Sequence, residues 1–275
     1  VPELPETETI ARDLDREVRG RCITDVVVTK PDVLREITAS QLRARLVGAA
    51  ITRCWRRAKL VVLDLDRGDR LVVQPRFTGA LLLSRGPLSE SEAPYSTLHL
   101  HLDDDRDLHY RDIRRLGTVA LMGPDRFAEY SRNLGIEPLD PAFTVTHLSG
   151  ILRGSRQAVK KVLMDQRRLV GIGNIYANEA CWRAGIDPSR SAASIDATEI
   201  AALHGGIVSV LTESIAARGT SFRDYRDATG GKGDFERSLA VYGRGGEPCL
   251  RCGARLVETH VIDGRTTVLC AGCQR

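Results

Sequence analysis

Apolar and polar positions alternate in two different rhythms along this chain, and the change from one to the other divides it. A short helical stretch runs from Thr7 to Val18. After it, runs of alternating or continuous apolar residues predict strands at Ile23 to Thr29, Ile51 to Asp66, Leu71 to Leu83, Leu98 to Leu102 and Val119 to Met122, punctuated by turns such as Asp66-Arg67-Gly68-Asp69. In Leu98-His99-Leu100-His101-Leu102 the leucines share one face and the histidines the other, as in a half-buried strand. Packed together, such strands predict an antiparallel β-sandwich over residues 1–133. The prolines and glycine of Leu134 to Thr144 mark a boundary. Beyond it a helical period predicts helices at Thr146 to Met164, Asn174 to Ala184 and Ala197 to Ala217, the last opened by Asp196 and Glu199 in capping-box spacing and closed at Gly219. We therefore expect a helical domain over 144–220, a loop-rich segment over 221–245 and a small module over 246–275, an α+β chain overall.

Composition narrows the class only slightly. The chain has 275 residues, 42% of them hydrophobic, enough for a sizeable core, and its net charge of +4 suits nucleic acid without requiring it. No apolar run approaches the length of a membrane span, and the first residues carry acids and prolines where a signal peptide would be basic and then apolar. A cytoplasmic protein with no membrane partner is expected.

Four of the seven cysteines stand close to the end of the chain as Cys249-x-x-Cys252 and Cys270-x-x-Cys273, and this spacing suits one tetrahedral zinc ion. Four thiolates leave no open coordination position, so the metal is structural, and a binding free energy of roughly 10–16 kcal/mol is what folds so small a module. Cys22, Cys54 and Cys181 are expected as buried thiols, and His99 and His101 as strand-surface side chains outside the zinc site. At the other end, Pro2-Glu3-Leu4-Pro5-Glu6-Thr7-Glu8-Thr9 reads as a helix entry, with prolines in the first turn and acids at the positive end of the dipole. A proline so near the start has a second use, because removal of one residue frees a secondary amine able to attack electrophilic carbon.

Pro-Glu-Leu-Pro-Glu at the start, Gly171-Ile172-Gly173-Asn174-Ile175-Tyr176 in the middle and the four-cysteine module at the end together resemble the formamidopyrimidine-DNA glycosylase (Fpg) family over the whole chain. The resemblance implies a β-sandwich domain, a helix-two-turn-helix domain with a zinc finger, and damaged double-stranded DNA bound in the cleft between them. It implies a base-excision repair glycosylase with abasic-site lyase activity, acting on 8-oxoguanine and formamidopyrimidines, as a monomer in the bacterial cytoplasm and on the nucleoid when bound. Pro2 then matches the nucleophile that attacks C1′ and forms an iminium, Glu3 its acid/base partner, and Glu6 an acid that orders the helix start. An α-amine of ordinary pKa, about 7.7–8.0, is partly neutral at physiological pH. Val1 is expected to be a GTG start read as methionine and removed; if it stays, Pro2 nitrogen is an amide, and a non-catalytic damage-binding protein is the alternative.

The segment Arg53 to Lys59 reads as a strand with a basic face, in which Lys59 matches a lysine facing the lesion's phosphate or sugar. Asn174 at a helix N-terminus, with Lys160 adding charge, matches a phosphate site, and Arg265 matches a finger arginine that contacts phosphates beside the lesion and assists δ-elimination. Base flipping leaves a gap to be filled. Phe77 stands where the family places a methionine wedge and Leu116 where it places a phenylalanine, with Arg114 facing the orphaned base and Gln74 in place of a common histidine. Asp227 to Phe235 resembles the loop that closes over flipped 8-oxoguanine. Because the wedges are exchanged, an endonuclease VIII-like preference for oxidised pyrimidines is a second enzyme reading.

Overall fold

The computed structural model describes residues 2–221 and 225–275, so Val1 and the middle of the expected loop-rich segment, residues 222–224, lie outside the described residues. The chain forms two compact units, one of residues 1–132 with 217–236 and the other of residues 133–216 with 237–275.

The first unit opens with α1 (Leu4–Val18). Ile10, Leu14 and Val18 recur every four residues and are wholly buried, so one stripe of the helix joins the sandwich core. The remaining elements are β1 (Ile23–Val28), β2 (Leu34–Arg35), α2 (Ala39–Leu46), β3 (Ile51–Arg57), β4 (Leu60–Leu65), β5 (Arg70–Gln74), β6 (Gly79–Arg85), β7 (Ser96–Leu102), β8 (Arg106–Asp112), β9 (Thr118–Met122) and α3 (Pro124–Arg132). They build a four-stranded antiparallel sheet in the order β1-β7-β8-β6 and a five-stranded sheet in the order β2-β9-β5-β4-β3, in which only β2 and β9 run parallel. Leu63, Val73, Leu98, Leu100, Leu108 and Tyr110 belong to the shared core.

Two of the expected strands prove to be pairs. Ile51 to Asp66 breaks at Ala58-Lys59, where Ala58 takes a left-handed φ of 55° and the chain turns from β3 into β4. Leu71 to Leu83 breaks at Pro75 to Thr78, because proline cannot donate to the ladder and Phe77 has a φ of 49°. Strand β8 gave no signal, since Arg106-Asp107-Leu108-His109-Tyr110-Arg111-Asp112 hides two core residues among charges that are themselves partly covered.

The second unit contains α4 (Val145–Leu152), α5 (Val159–Leu163), α6 (Asn174–Ala184), α7 (Ala197–Ala216), β10 (Val257–Thr259) and β11 (Thr267–Leu269). The expected helix over Thr146 to Met164 is divided at Gly154, whose φ of 77° cannot continue it. Helix α7 corrects the expectation that nothing approaches membrane-span length: by length and composition it is apolar enough, with mean hydropathy 1.2. Its Ile200, Leu203, Ile207, Val210 and Leu211 are buried within the unit, and a Cβ on Gly206 would lie 3.0 Å from Ala180 O on α6, so the two helix backbones pack closely. The stretch Ala217–Glu236, expected at the end of the helical domain and in the loop after it, packs within the first unit.

Candidate functional site

In the first unit, chemistry gathers at the start of α1. Pro2 is buried and Glu3, the N-cap residue, is 3% exposed. Glu6, one turn on, uses both carboxylate oxygens: Glu3 N–H donates to Oε2 at 2.8 Å and Thr220 N–H donates to Oε1 at 2.8 Å. A single buried carboxylate thus fixes the backbone of Glu3 and of the returning segment. Gly219 must be small there, because a Cβ would lie 3.0 Å from Glu6 Oε1 and its φ is 85°.

Helix α1 lies antiparallel on β3. Cys54 N–H donates to Asp15 at 2.7 Å, and Arg56 Nε pairs with Glu8 at 2.8 Å. Beyond Arg56 the strand ends at Arg57 and turns at Ala58-Lys59 into β4, and the half-buried Lys59 sits in that turn. Burial pushes the Glu8 carboxyl up, but the Arg56 and Arg12 guanidinium groups more than offset it and hold it below the usual carboxylate range.

Two loops of the same unit are braced on Asp112. Thr78 Oγ1 donates to its Oδ1 at 2.6 Å, Tyr110 Oη and Gly117 N–H donate to its Oδ2 at 3.1 and 2.9 Å, and Arg114 N–H donates to Oδ1 at 3.2 Å. A Cβ on Gly117 would lie 1.9 Å from Tyr110 Oη, so only glycine permits the closure. From this bracing Phe77 and Leu116 project at 43% and 40% exposure, unusual for such side chains, and the Arg114 guanidinium stacks 4.8 Å from the Phe77 ring centroid.

The segment after residue 224 is ordered by Asp227. Its Oδ1 accepts from Thr229 N–H, Thr229 Oγ1 and Gly231 N–H at 3.0, 2.8 and 2.7 Å. Arg218, in a left-handed backbone conformation, bridges Asp227 and Asp13 of α1 at 2.6 Å each. Burial raises the Asp227 carboxyl, but the bonds from Arg218 and Thr229 outweigh it and leave it below its ordinary value. Leu83 N–H donates to Ala228 O at 2.8 Å, so the segment is also tied to β6.

In the second unit the four sulfurs of Cys249, Cys252, Cys270 and Cys273 all lie within 4.8 Å of one another, with Cys252 and Cys270 3.4 Å apart and Cys249 and Cys273 4.0 Å apart. Zinc–sulfur bonds of about 2.3 Å in a tetrahedron separate sulfurs by about 3.8 Å, so the set fits one structural zinc. The finger is gripped by neighbouring helices. Lys160 Nζ donates to Thr266 O and Thr267 Oγ1 at 2.8 Å each, Asn174 Nδ2 donates to Thr266 O at 3.0 Å, and Val268 N–H donates to Asn178 Oδ1 at 2.9 Å. Glu179, wholly buried, accepts from Ala240, Val241 and Tyr242 N–H at 2.9, 2.9 and 2.8 Å.

Three family models cover most of the chain: the formamidopyrimidine-DNA glycosylase N-terminal domain over residues 1–119, its H2TH domain over 134–226, and the zinc finger found in FPG and IleRS over 246–275. The formamidopyrimidine-DNA glycosylase of Desulfitobacterium hafniense is 38% identical over 277 residues, covering 100% of both chains. That of Moorella thermoacetica is 43% identical over 260 residues, 93% of each. The chain belongs to the formamidopyrimidine-DNA glycosylase family. Among solved structures, wild-type Lactococcus lactis Fpg in complex with an N7-benzyl-Fapy-dG containing DNA matches with a TM-score of 0.92 and 32% identity over 100% of both chains. The same enzyme with an abasic site containing DNA matches at 0.91 and 32% over 99% of each.

Within this family frame, Pro2 and Glu3 stand at the start of α1 and Lys59 in the β3–β4 turn, while Phe77, Arg114 and Leu116 form a second group on the Asp112 bracing. Arg265 is exposed in the turn between β10 and β11. Lys160 departs from the expectation: its ammonium is 0% exposed and spent on Thr266 and Thr267, so it holds the finger's shape and presents no charge to a phosphate. Lys59 sits in a turn where a strand was expected. The sequence reading missed Asp112, Arg218, Asn178 and Glu179, none of which carries a motif; the partner a polar side chain finds in the fold leaves no periodic trace in the sequence.

Proposed function

We propose that this base-excision repair glycosylase removes oxidised purines from duplex DNA with Pro2 as nucleophile and Glu3 as proton-transfer group. Pro2 nitrogen attacks C1′ as the C1′–N9 bond breaks and the base leaves with that electron pair and a proton. Opening of the sugar gives an iminium on Pro2, and loss of a C2′ proton expels the 3′-phosphate, with a second elimination releasing the 5′-phosphate. The observation that carries the reading is the buried Pro2-Glu3 pair at the start of α1, fixed by Glu6, in a chain of this family. The free amine requires a form in which Pro2 is the terminal residue; Val1 lies outside the described residues.

Phe77 and Leu116 are suited to fill the gap left by a flipped nucleotide, Arg114 to face the orphaned base, and Lys59 to meet the sugar or its phosphate. Asn174 and Arg265 are assigned to flanking phosphates. The enzyme acts as a monomer in the bacterial cytoplasm, on the nucleoid. A second substrate class, oxidised pyrimidines, is favoured by one observation: a solved complex of the Lactococcus lactis enzyme holds an oxidized pyrimidine containing DNA. Borohydride trapping tests both. Processed protein beginning at Pro2 should be captured on a duplex with 8-oxoguanine opposite cytosine, and faster than on one with an oxidised pyrimidine. Equal trapping by a form that retains Val1 would move the nucleophile to a lysine, Lys59 first.

A further inference from the structure

Away from all of these residues, the outer face of the four-stranded sheet carries a second group of metal-ligating side chains. The register sets His99 of β7 opposite His109 of β8, and His101 opposite Asp107, so four such residues occupy two adjacent rungs of one face. Two residues apart on one strand point the same way, and directly opposed residues on neighbouring strands have Cβ atoms about 4.5–5.5 Å apart. The rings already pack together, with centroids 5.0 Å apart for His99 and His101 and 5.2 Å apart for His99 and His109. Asp107 stands between the rungs, its Oδ1 paired with His101 Nδ1 and its Oδ2 4.0 Å from His109 Nε2.

The odd member is His109. It is 6% exposed, its Nδ1 is 3.1 Å from Ser96 Oγ, and its Nε2 is buried with no hydrogen-bond partner among the described residues. A buried nitrogen with no hydrogen-bond partner carries a desolvation cost that solvated strand histidines do not incur. If Nδ1–H donates to Ser96, Nε2 presents a lone pair toward Asp107, as in histidines whose second nitrogen is oriented by a hydrogen bond while the first binds metal. Burial, then the neighbouring His101, keeps His99 below the ordinary histidine range, and burial, then the neighbouring His99, does the same for His109.

We propose that His99, His101, His109 and Asp107 form a divalent transition-metal site distinct from the cysteine finger. Three imidazole nitrogens and one carboxylate oxygen suit Zn2+, Ni2+ or Cu2+ and disfavour Mg2+ and Ca2+, which take oxygen ligands. The ligand atoms do not surround one point while Asp107 is drawn onto His101. Metal binding requires these side chains to rotate toward one point, while the register that sets their spacing belongs to the backbone.

The test uses tag-free protein already holding one zinc per chain in the finger, titrated with Ni2+ by calorimetry. One further equivalent should bind, and His99→Ala with His101→Ala should weaken it at least tenfold while zinc content stays at one per chain. Should that double variant fold poorly, His101→Gln, at a side chain 42% exposed, carries the same comparison and should weaken binding severalfold. Ni2+ binding that is absent in the native protein, or equal in the native protein and the variants, overturns the proposal. Mg2+ competing with Ni2+ would overturn the ligand class.

Discussion

Glu6→Gln isolates the link between the start of α1 and the returning segment. The native carboxylate accepts one buried N–H on each oxygen, from Glu3 and from Thr220. Glutamine keeps one acceptor oxygen and turns an NH2 group toward the other N–H, so one charge-assisted bond is lost and one buried donor is left facing another. Hydrogen bonds to charged groups contribute about 1.5–3 kcal/mol and an unmet buried donor costs about 1–3 kcal/mol, so the expected loss is about 3 kcal/mol. For a unit of about 150 residues this lowers the melting temperature by about 6–12 °C. Hydrogen exchange provides the local readout: whichever of the Glu3 and Thr220 amides loses its acceptor should exchange about 100-fold faster. Because a shift near 1 Å can cost about 100-fold in rate, single-turnover excision should slow as well, even though Glu6 is not assigned a proton-transfer role. Native exchange at both amides together with a melting temperature unchanged within 2 °C would refute the dual-anchor reading.

Replacing Lys160 by methionine should destabilise the finger by about 1–3 kcal/mol, since Thr267 Oγ1 loses its ammonium donor and Thr266 O keeps only the Asn174 amide; the dependence of DNA affinity on salt should keep its native slope. Arg265→Ala should instead lower that slope by about one phosphate contact, and a reversal of the two results would restore Lys160 to the DNA surface. Arg218→Ala leaves the buried Asp13 and Asp227 carboxylates short of their shared partner; because Arg218 is itself 42% exposed, the cost is held to about 2 kcal/mol, read as faster exchange of the Gly231 amide. The Asp227 pKa is lowered on folding, so its contribution is present above the ordinary aspartate value and is lost as pH falls through the depressed one. The native protein should therefore lose stability in that acid window more steeply than Arg218→Ala. Removing zinc, by chelation or by Cys252→Ser, should unfold β10 and β11 and abolish DNA binding while the sandwich keeps its melting transition.

What the sequence determined was whatever depends on local order. Its two hydrophobic rhythms marked a β unit and a helical unit, the Cys-x-x-Cys pairs named the metal and its ligands, and α6 was predicted with the bounds it has, because Gly173 and Gly185 stop it at both ends. Pro2, Glu3, Phe77 and Leu116 were legible as positions of a family pattern. Tertiary structure decided the rest. Ala58-Lys59 became a turn because β3 and β4 pair across it, and Lys160 became a buried strut because Thr266 and Thr267, more than a hundred residues away, return to meet it. Asp112, Glu179 and Arg218 acquired their roles in the same way. A charged side chain carries no mark in the sequence of whether water or a distant backbone will satisfy it, and only the fold brings that partner within hydrogen-bonding reach.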